Sequence, residues 1–196
     1  MITADQVKTL REMTGAGMME CKKALAETAG DMTKAMEYLR KQGIAKADKR
    51  SDRSASQGLV ESYIHDNRIG VLIEVNCETD FVARTDAFRA LVKDLAMQAA
   101  AAGAVFVRRE EVPADRVAKE REIYAAQVAA EGKPAAILDK ILDGKVNKFY
   151  SEICLLEQPF IKDDKKTVGD LVKETSSKTG ENVVVRRFVR YRLGAE

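Results

Sequence analysis

A strand, a short turn and a long helix follow one another between residues 68 and 99, and this run constrains the fold most strongly. Residues 68–77 alternate in polarity as a strand does. Its apolar face carries Val71, Ile73, Val75 and Cys77. Apolar side chains then recur at helical spacing, and they are Phe88, Leu91, Val92, Leu95, Ala96 and Ala99. Capped by Thr85 or Asp86, this helix is expected to pack with the strand in one core.

The turn inside this run, within residues 76–83, carries two apolar side chains that fit neither flanking pattern. They are Phe81 and Val82, at a place where polar residues would be ordinary. An Asp followed by a bulky Phe in such a turn can be presented to a partner. Alternatively, Phe81 folds back as a lid over the core beneath the turn. Considered alone, the stretch favours the lid.

Three short helices are predicted in the first 45 residues. Thr3 and Gln6 have the capping-box arrangement at the start of the first helix, and Asp31 is suited to cap the third. Glycine tolerates the left-handed backbone that follows a helix, so glycines are expected to end each of them. These glycines are Gly15, Gly17, Gly30 and Gly43. Residues 1–45 are therefore a predicted three-helix bundle.

Two methionines open the second of these helices. Because Met18 and Met19 are adjacent, their side chains point about 100° apart on a helix. Both cannot lie at the centre of one apolar stripe, so one of them is a candidate for exposed, adaptable contact area. The alternative is a bundle core broad enough to bury both.

Residues 46–57 lose the apolar pattern and alternate in charge, which predicts a charged linker before a core of residues 58–196. In that core, a turn at residues 66–68 joins two strands in a hairpin, and residues 182–193 supply a third strand. Helices are predicted between them, with breaks at residues 132–134 and at Gly144. Residues 158–164 are expected to be irregular. The predicted fold class is α+β, a three-stranded antiparallel sheet packed with helices.

The last predicted strand carries four arginines. One face is assigned Val183, Val185, Arg187, Val189, Tyr191 and Leu193. The other face is assigned Val184, Arg186, Phe188, Arg190 and Arg192. These arginines could contact the phosphates of RNA, but 33 basic and 31 acidic residues nearly cancel, leaving a net charge of +2. A solvated or salt-bridged sheet face is favoured, and no direct nucleic-acid binding is expected.

The sequence offers little for catalysis or metal binding. His65 is the only histidine, and the three cysteines lie far apart, so neither a metal site nor a cofactor is expected. Glu78 and Asp80 could pair as acid and base, but no motif marks a substrate pocket beside them. No apolar run could span a membrane, and the N-terminus lacks a signal-peptide pattern. We therefore expect a cytoplasmic binding or regulatory protein and not an enzyme.

Two long stretches, residues 10–25 and 74–83, resemble the signature sequences of the elongation factor Ts family. Residues 155–164 and 180–188 extend the resemblance over essentially the whole chain. Members of this family are guanine-nucleotide exchange factors for elongation factor Tu. The resemblance implies an N-terminal three-helix domain of the ubiquitin-associated type, followed by an α+β core.

The resemblance also implies which residues touch the partner, in its GDP-bound and nucleotide-free forms. The N-terminal domain would grip the nucleotide-binding domain of elongation factor Tu through Arg11, Met18 and Met19. A turn of the core would enter near its magnesium and phosphate site, and that turn is Thr79, Asp80, Phe81 and Val82. Phe81 would act as a wedge, and Asp80 would fix the turn or bond the partner helix. With this resemblance taken into account, the wedge is favoured over the lid as the role of Phe81.

Longer members of the family carry two related core halves, and this chain has one hairpin and one Thr-Asp-Phe-Val turn. That resembles the short form of the family. A three-stranded sheet leaves edges and a face to be covered, so we expect a homodimer held through the core. No disulfide is expected in it, because Cys77 and Cys154 fall on apolar stripes.

Overall fold

The computed structural model describes residues 2–130 and 135–195, apart from the side chains of residues 135 and 136. The predicted break at residues 132–134 lies outside the described residues. Three helices come first: α1 (Ala4–Thr14), α2 (Met18–Glu27) and α3 (Met32–Asp48). A hairpin and two helices follow: β1 (Gln57–His65), β2 (Ile69–Cys77), α4 (Asp80–Ala83) and α5 (Asp86–Ala102). The chain continues with α6 (Ala114–Ala130), α7 (Ala135–Ile153), β3 (Pro159–Phe160), β4 (Asp163–Thr167), α8 (Val168–Thr179) and β5 (Val184–Arg192).

Contacts divide the chain into two compact units. The first unit comprises Met1–Leu59, Val75–Leu91 and Asp170–Val184. The second unit comprises Val60–Glu74, Val92–Gly169 and Val185–Glu196. Strands β1, β2 and β5 form a three-stranded antiparallel sheet in that order, and β3 pairs with β4 in a separate hairpin. The predicted α+β class is confirmed.

The three N-terminal helices of the first unit pack around a small apolar core. Its buried members are Val7, Leu10, Cys21, Ala24, Leu25 and Ala35. The predicted caps are present, because the Thr3 hydroxyl accepts from the Gln6 amide in a capping box and Asp31 accepts from the Lys34 amide. Gly15 follows α1 with a left-handed φ of 69°, as predicted.

Two glycines do not end helices where the sequence pattern placed those ends. Helix α3 continues through Gly43 to Asp48, and α7 continues through Gly144 to Ile153. The two predicted helix ends are therefore wrong. A glycine inside a helix costs only about 1 kcal/mol relative to alanine, which tertiary packing readily offsets.

Helix α3 packs against α8 within the first unit. A Cβ atom added to Gly43 would lie 2.7 Å from the Ser177 Oγ, so the missing side chain permits this close approach. Arg40 of α3 reaches both Asp170 at 3.6 Å and Glu174 at 3.2 Å. The glycine that was expected to stop the helix instead lets it lie close to a neighbour.

The hairpin of β1 and β2 turns as the sequence predicts. Asp66 and Asn67 have φ angles of 48° and 55°, and the Arg68 amide donates to the His65 carbonyl at 2.9 Å. Two consecutive left-handed residues are typical of a type I′ turn, which matches the twist of a hairpin. The apolar face of β2 is buried as predicted, at Val71, Ile73, Val75 and Cys77.

Burial changes along strand β5. Val183 and Val185 are buried, whereas Arg186 and Arg187 are both exposed. Val189, Tyr191 and Leu193, assigned to the same face as Val185, are also exposed. Arg190, assigned to the other face, donates to the Ala100 carbonyl at 3.2 Å. The face predicted from Val183 to Leu193 is therefore buried at its start and exposed beyond Val185.

Residues near the end of α7 also differ from expectation. Cys154 follows the helix, fully buried, and its backbone forms a bridge with Phe106. Residues 158–164 are not irregular throughout, because β3 and β4 pair there. The short strands carry Asp163, Asp164, Lys165 and Lys166, and a strand so rich in charge gives no alternating apolar signal.

Candidate partner-binding site

The Thr-Asp-Phe-Val turn is one short, capped helix between β2 and α5. Thr79 is the N-cap residue of α4, and its Oγ1 accepts from the Val82 amide at 3.4 Å. Thr85 closes the other end, since its hydroxyl donates to the Val82 carbonyl at 2.8 Å and accepts from the Phe88 amide at 3.3 Å. Thr85 is thereby the cap of α5 that the sequence predicted.

Phe81 points away from the core. Its side chain is 79% exposed, whereas Ala83 in the same short helix is buried. The core beneath the turn is therefore covered by Ala83, and the interpretation of Phe81 as a lid is wrong. An exposed phenylalanine on a capped turn is a pre-formed apolar projection that can enter a pocket.

The turn is held from a distant part of the sequence. The Glu181 Oε2 accepts from the amides of Glu78 and Thr79, at 3.1 Å and 3.0 Å. The Glu181 Oε1 accepts from the Thr79 hydroxyl at 2.6 Å. The sequence analysis did not identify Glu181, because nothing in the local pattern marks a residue that lies 102 positions away.

A second set of bonds surrounds this anchor. The Asn182 amide donates to the Glu78 Oε1, at 2.6 Å, and the Arg53 guanidinium lies 3.5 Å from the same oxygen. The Asn182 side chain donates to the carbonyls of Ser51 and Arg53, at 3.1 Å and 2.8 Å. The corner at residues 181–182 therefore ties the turn to the segment that follows α3.

Both acidic residues of the turn region have hydrogen-bond or ion-pair partners. Asp80 Oδ2 accepts from the Arg84 guanidinium at 2.8 Å, an i,i+4 pair along the turn. The Glu78 carboxylate is occupied by Asn182 and Arg53. Within the described residues, no group of three or more His, Cys, Asp or Glu could hold a metal ion. The ion pair with Arg84 fits a role for Asp80 in fixing the turn.

A buried thiol lies beneath the turn. The Cys77 Sγ donates to the Thr79 carbonyl at 3.1 Å. Burial, reinforced by the negative charge of Glu181, raises the pKa of this thiol. Cys77 therefore remains protonated and can act as a hydrogen-bond donor under the turn.

The N-terminal residues of the predicted site lie at the surface of the first unit. Met18 is 51% exposed and Met19 is 74% exposed, because α2 turns Cys21, Ala24 and Leu25 towards the bundle core. The alternative of a core broad enough to bury both methionines is therefore wrong. Arg11 is also exposed, in the last turn of α1.

The two groups of site residues stand on separate elements. Thr79 to Val82 form one turn, whereas Arg11 lies on α1 and the two methionines open α2. Over residues 2–130 and 135–195, no hydrogen bond or ion pair joins one group to the other. The first unit thus carries two separate exposed features, an apolar projection at Phe81 and a methionine surface at Met18 and Met19.

Two of the four arginines of β5 are engaged within the second unit. Arg187 donates to Glu74 at 2.7 Å, and Arg190 donates to the Ala100 carbonyl. Each bond uses part of the donor set of its arginine, and the Arg187 side chain remains 81% exposed, with its charge offset by Glu74. Among the described residues, no helix has the length and apolar character needed to cross a membrane.

Comparison with known proteins places this arrangement in a family. A family model described as Elongation factor TS matches residues 3–195. Elongation factor Ts of Desulforamulus reducens is 61% identical over 194 residues, covering 98% of this chain and 89% of the relative. Elongation factor Ts of Moorella thermoacetica is 62% identical over 195 residues, covering 99% of this chain and 96% of the relative. The chain therefore belongs to the elongation factor Ts family of translation elongation factors.

Proposed function

We propose that this chain is the guanine-nucleotide exchange factor for elongation factor Tu, acting in the cytoplasm by binding and not by covalent catalysis. It binds elongation factor Tu with GDP and promotes GDP release. This leaves a nucleotide-free complex to which GTP can bind. The observation that carries the proposal is the exposed Phe81 on an anchored turn. Family membership supplies the partner.

In this proposal the turn works as a wedge. Thr79 and Asp80 fix the conformation, through Glu181 and Arg84. Phe81, with Val82 beside it, enters the partner near its magnesium and phosphate site. Burying the ring between partner elements stabilises a conformation in which contacts to the metal and phosphate are poor. GDP and this protein then bind with negative coupling, so each weakens the other by the same factor.

The magnitude of this coupling is within reach of one aromatic anchor and a few supporting contacts. A thousandfold weakening of GDP binding requires about 4 kcal/mol, since each tenfold is about 1.4 kcal/mol. One well-buried aromatic anchor typically contributes about 2–4 kcal/mol. The wedge therefore supplies much of the coupling, and the remainder comes from other contacts.

The N-terminal surface of Arg11, Met18 and Met19 supplies affinity in this mechanism. Methionine side chains are flexible and polarizable, so they adapt to a partner surface without a pre-shaped pocket. Arg11 adds a charge that can orient the encounter. This surface binds the partner equally well before and after the nucleotide leaves, so it raises affinity without driving release.

A role on RNA or the ribosome through the arginines of β5 is the alternative. The pairing of Arg187 with Glu74 and of Arg190 with a carbonyl weighs against it. A near-neutral net charge of +2 also gives little long-range attraction to a polyanion. Phosphate-driven binding would fall steeply with ionic strength, whereas apolar anchoring would be less sensitive.

We further propose that the second unit pairs with a second copy of this chain. Exposed apolar side chains lie on or next to all three strands of the sheet, and we propose that they share one face, which we call the open sheet face. It carries Val60, Ile64, Leu72, Val189, Tyr191 and Leu193. An apolar surface of this kind is usually covered by another element or another molecule. A second copy supplies the core half that longer members of the family carry in one chain.

Release of a fluorescent GDP analogue from elongation factor Tu tests the exchange proposal directly. Adding this protein at micromolar concentration is expected to accelerate release by at least two orders of magnitude over spontaneous release. Bovine serum albumin at the same concentration serves as the control for nonspecific effects. An unchanged release rate would overturn the proposed function.

A further inference from the structure

We propose that Glu181 is a positioning residue that holds the Thr79–Val82 turn in the conformation that presents Phe81. The inference extends the proposed function, and its effect on nucleotide release rests on that function. Glu181 lies outside the turn and outside the N-terminal surface of Arg11, Met18 and Met19. Its carboxylate nevertheless accepts three hydrogen bonds at the start of α4.

The first part of the argument is how the two carboxylate oxygens are used. One oxygen accepts the amides of Glu78 and Thr79, the two residues that leave β2 and enter the turn. The other accepts the Thr79 hydroxyl. A charged acceptor makes hydrogen bonds stronger than a neutral one does. Both the backbone and the side chain at the N-cap of α4 are therefore tied to one group.

The second part concerns the single hydrogen of the Thr79 hydroxyl. Because that hydrogen is donated to Glu181, an oxygen lone pair remains for the Val82 amide. Glu181 thus sets the orientation in which Thr79 caps α4. Phe81 is the second residue of this four-residue helix, so the direction of its ring depends on the cap.

The third part is that Glu181 is itself fixed. Gly180 precedes it with a φ of 76°, which carries the chain out of α8. The Glu181 carbonyl accepts from the Ser176 hydroxyl, and the next residue, Asn182, donates to Glu78 and to the segment after α3. The backbone that carries the Glu181 carboxylate is held by its neighbours in the free protein, which is the condition for pre-organising a positioning residue.

Glu78 does not perform the same task. Its carboxylate faces Asn182 and Arg53, so it supports the corner and leaves the amides of the turn to Glu181. Glu174 of α8 offers a matched control, because it is a carboxylate in the same unit whose ion pair is with Arg40. Glu174→Gln removes a charge near the bundle and leaves the anchor of the turn in place.

The experiment compares Glu181→Ala, Glu181→Gln and Glu174→Gln in the full chain. Amide hydrogen exchange of the free protein is measured first, by NMR. The amides of Glu78, Thr79 and Val82 are expected to exchange at least tenfold faster in Glu181→Ala. Glu181→Gln keeps the size and one acceptor oxygen, so it should fall between the wild type and Glu181→Ala. Core amides such as those of Ile73 and Leu95 should be unchanged, as should all of these amides in Glu174→Gln.

Release of GDP from elongation factor Tu is measured next. At saturating concentration Glu181→Ala is expected to release GDP about tenfold more slowly, with the affinity of the complex changed less than threefold. In the Phe81→Ala background, Glu181→Ala should add no further loss, because Glu181 acts through that ring. A merely structural role for Glu181 would make the two losses add.

The two parts of the experiment separate the possible failures. Unchanged amide exchange in the turn, or additive losses in the double variant, would overturn the role of Glu181. A wild-type protein that releases no GDP would overturn the proposed function, while the amide measurement would still decide whether Glu181 holds the turn. Loss of folding in Glu181→Ala would leave the decision to Glu181→Gln, in which unperturbed turn amides would refute the proposal.

Discussion

Gly43 of α3 lies so close to Ser177 of α8 that an added Cβ atom would sit 2.7 Å from the Ser177 Oγ and 3.2 Å from its Cβ. Gly144 of α7 is also inside a helix, but an added Cβ atom there would meet nothing within 4 Å. The same substitution should therefore have opposite effects at these two glycines. The difference isolates helix–helix packing from helix propensity.

We predict that Gly43→Ala lowers the free energy of unfolding by about 1–2 kcal/mol, because overpacking outweighs the gain in helix propensity. Gly144→Ala should raise it by up to about 1 kcal/mol, since alanine is the better helix former and has room. Urea denaturation of both variants checks the prediction. Ser177→Ala combined with Gly43→Ala should recover part of the loss, and equal effects at both glycines would contradict the packing argument.

We predict that Phe81→Ala slows assisted GDP release about tenfold or more while weakening the complex with elongation factor Tu much less. The physical reason is that the exposed ring contributes little to the stability of the free protein. In the proposed complex it acts at the place where nucleotide contacts are broken. Met19→Ala is the contrasting variant, with weaker binding and a nearly unchanged rate at saturation. Stopped-flow release and titration separate the two quantities, and normal release by a folded Phe81→Ala protein would contradict the wedge.

Deleting residues 1–50 is predicted to leave a folded core that binds the partner weakly. The deletion removes the surface of Arg11, Met18 and Met19 and retains the carbonyls of Ser51 and Arg53 that accept from Asn182. The deletion also removes Arg40, the ion-pair partner of Asp170 and Glu174, so a lower melting temperature is expected. Circular dichroism and thermal melts check the prediction, and loss of a cooperative transition would count against domains at 1–45 and 58–196 with a linker at 46–57.

The open sheet face gives a prediction about assembly. Leu72→Glu places a charge in the middle of that face and should convert a dimer into a monomer, because burying an unpaired carboxylate in an apolar interface is costly. Ile123→Glu changes a comparably exposed residue of α6 and should leave the dimer intact. Size exclusion with light scattering measures the mass. A monomer mass for the wild-type chain at micromolar concentration would contradict the proposed dimer.

The three cysteines are predicted to be unreactive in the native state. Cys21, Cys77 and Cys154 are all buried, and burial raises the pKa of the Cys154 thiol to about 11. A thiol whose pKa is raised on folding keeps its proton longer than in the unfolded chain, so stability falls as pH rises from about 9 towards 11. Thiol titration with and without denaturant, and melts across that pH range, check both consequences. Fast labelling of the native protein, or an assembly that reducing agent dissociates, would contradict them.

The local pattern of the sequence was sufficient for most helices and strands and for their buried faces. Val71, Ile73 and Val75 follow a period of two, and Phe88, Leu91 and Leu95 follow the helical period, because each element buries one side in a core. The exposed Phe81 was detectable for the opposite reason, since it fits neither period. Patterns of this kind indicate which side of a single helix or strand is buried.

Features that depend on a second element were not detectable in this way. The local sequence predicts a helix end at Gly43, and only the close approach of Ser177 explains the glycine inside the helix. The anchor at Glu181 depends on a turn 102 positions away along the chain. In each case the deciding partner lies outside the window in which periodicity is measured.

The long sequence separation between Thr79 and Glu181 has a consequence for synthesis of the chain. A ribosome makes β2 and α4 long before it adds Glu181, which stands near the end of the 196 residues. Until the last strand follows it out of the exit tunnel, the amides of Glu78 and Thr79 lack their acceptor and the cap of α4 is incomplete. A nascent chain is therefore not ready to act on a partner until Glu181 has been added and has left the exit tunnel.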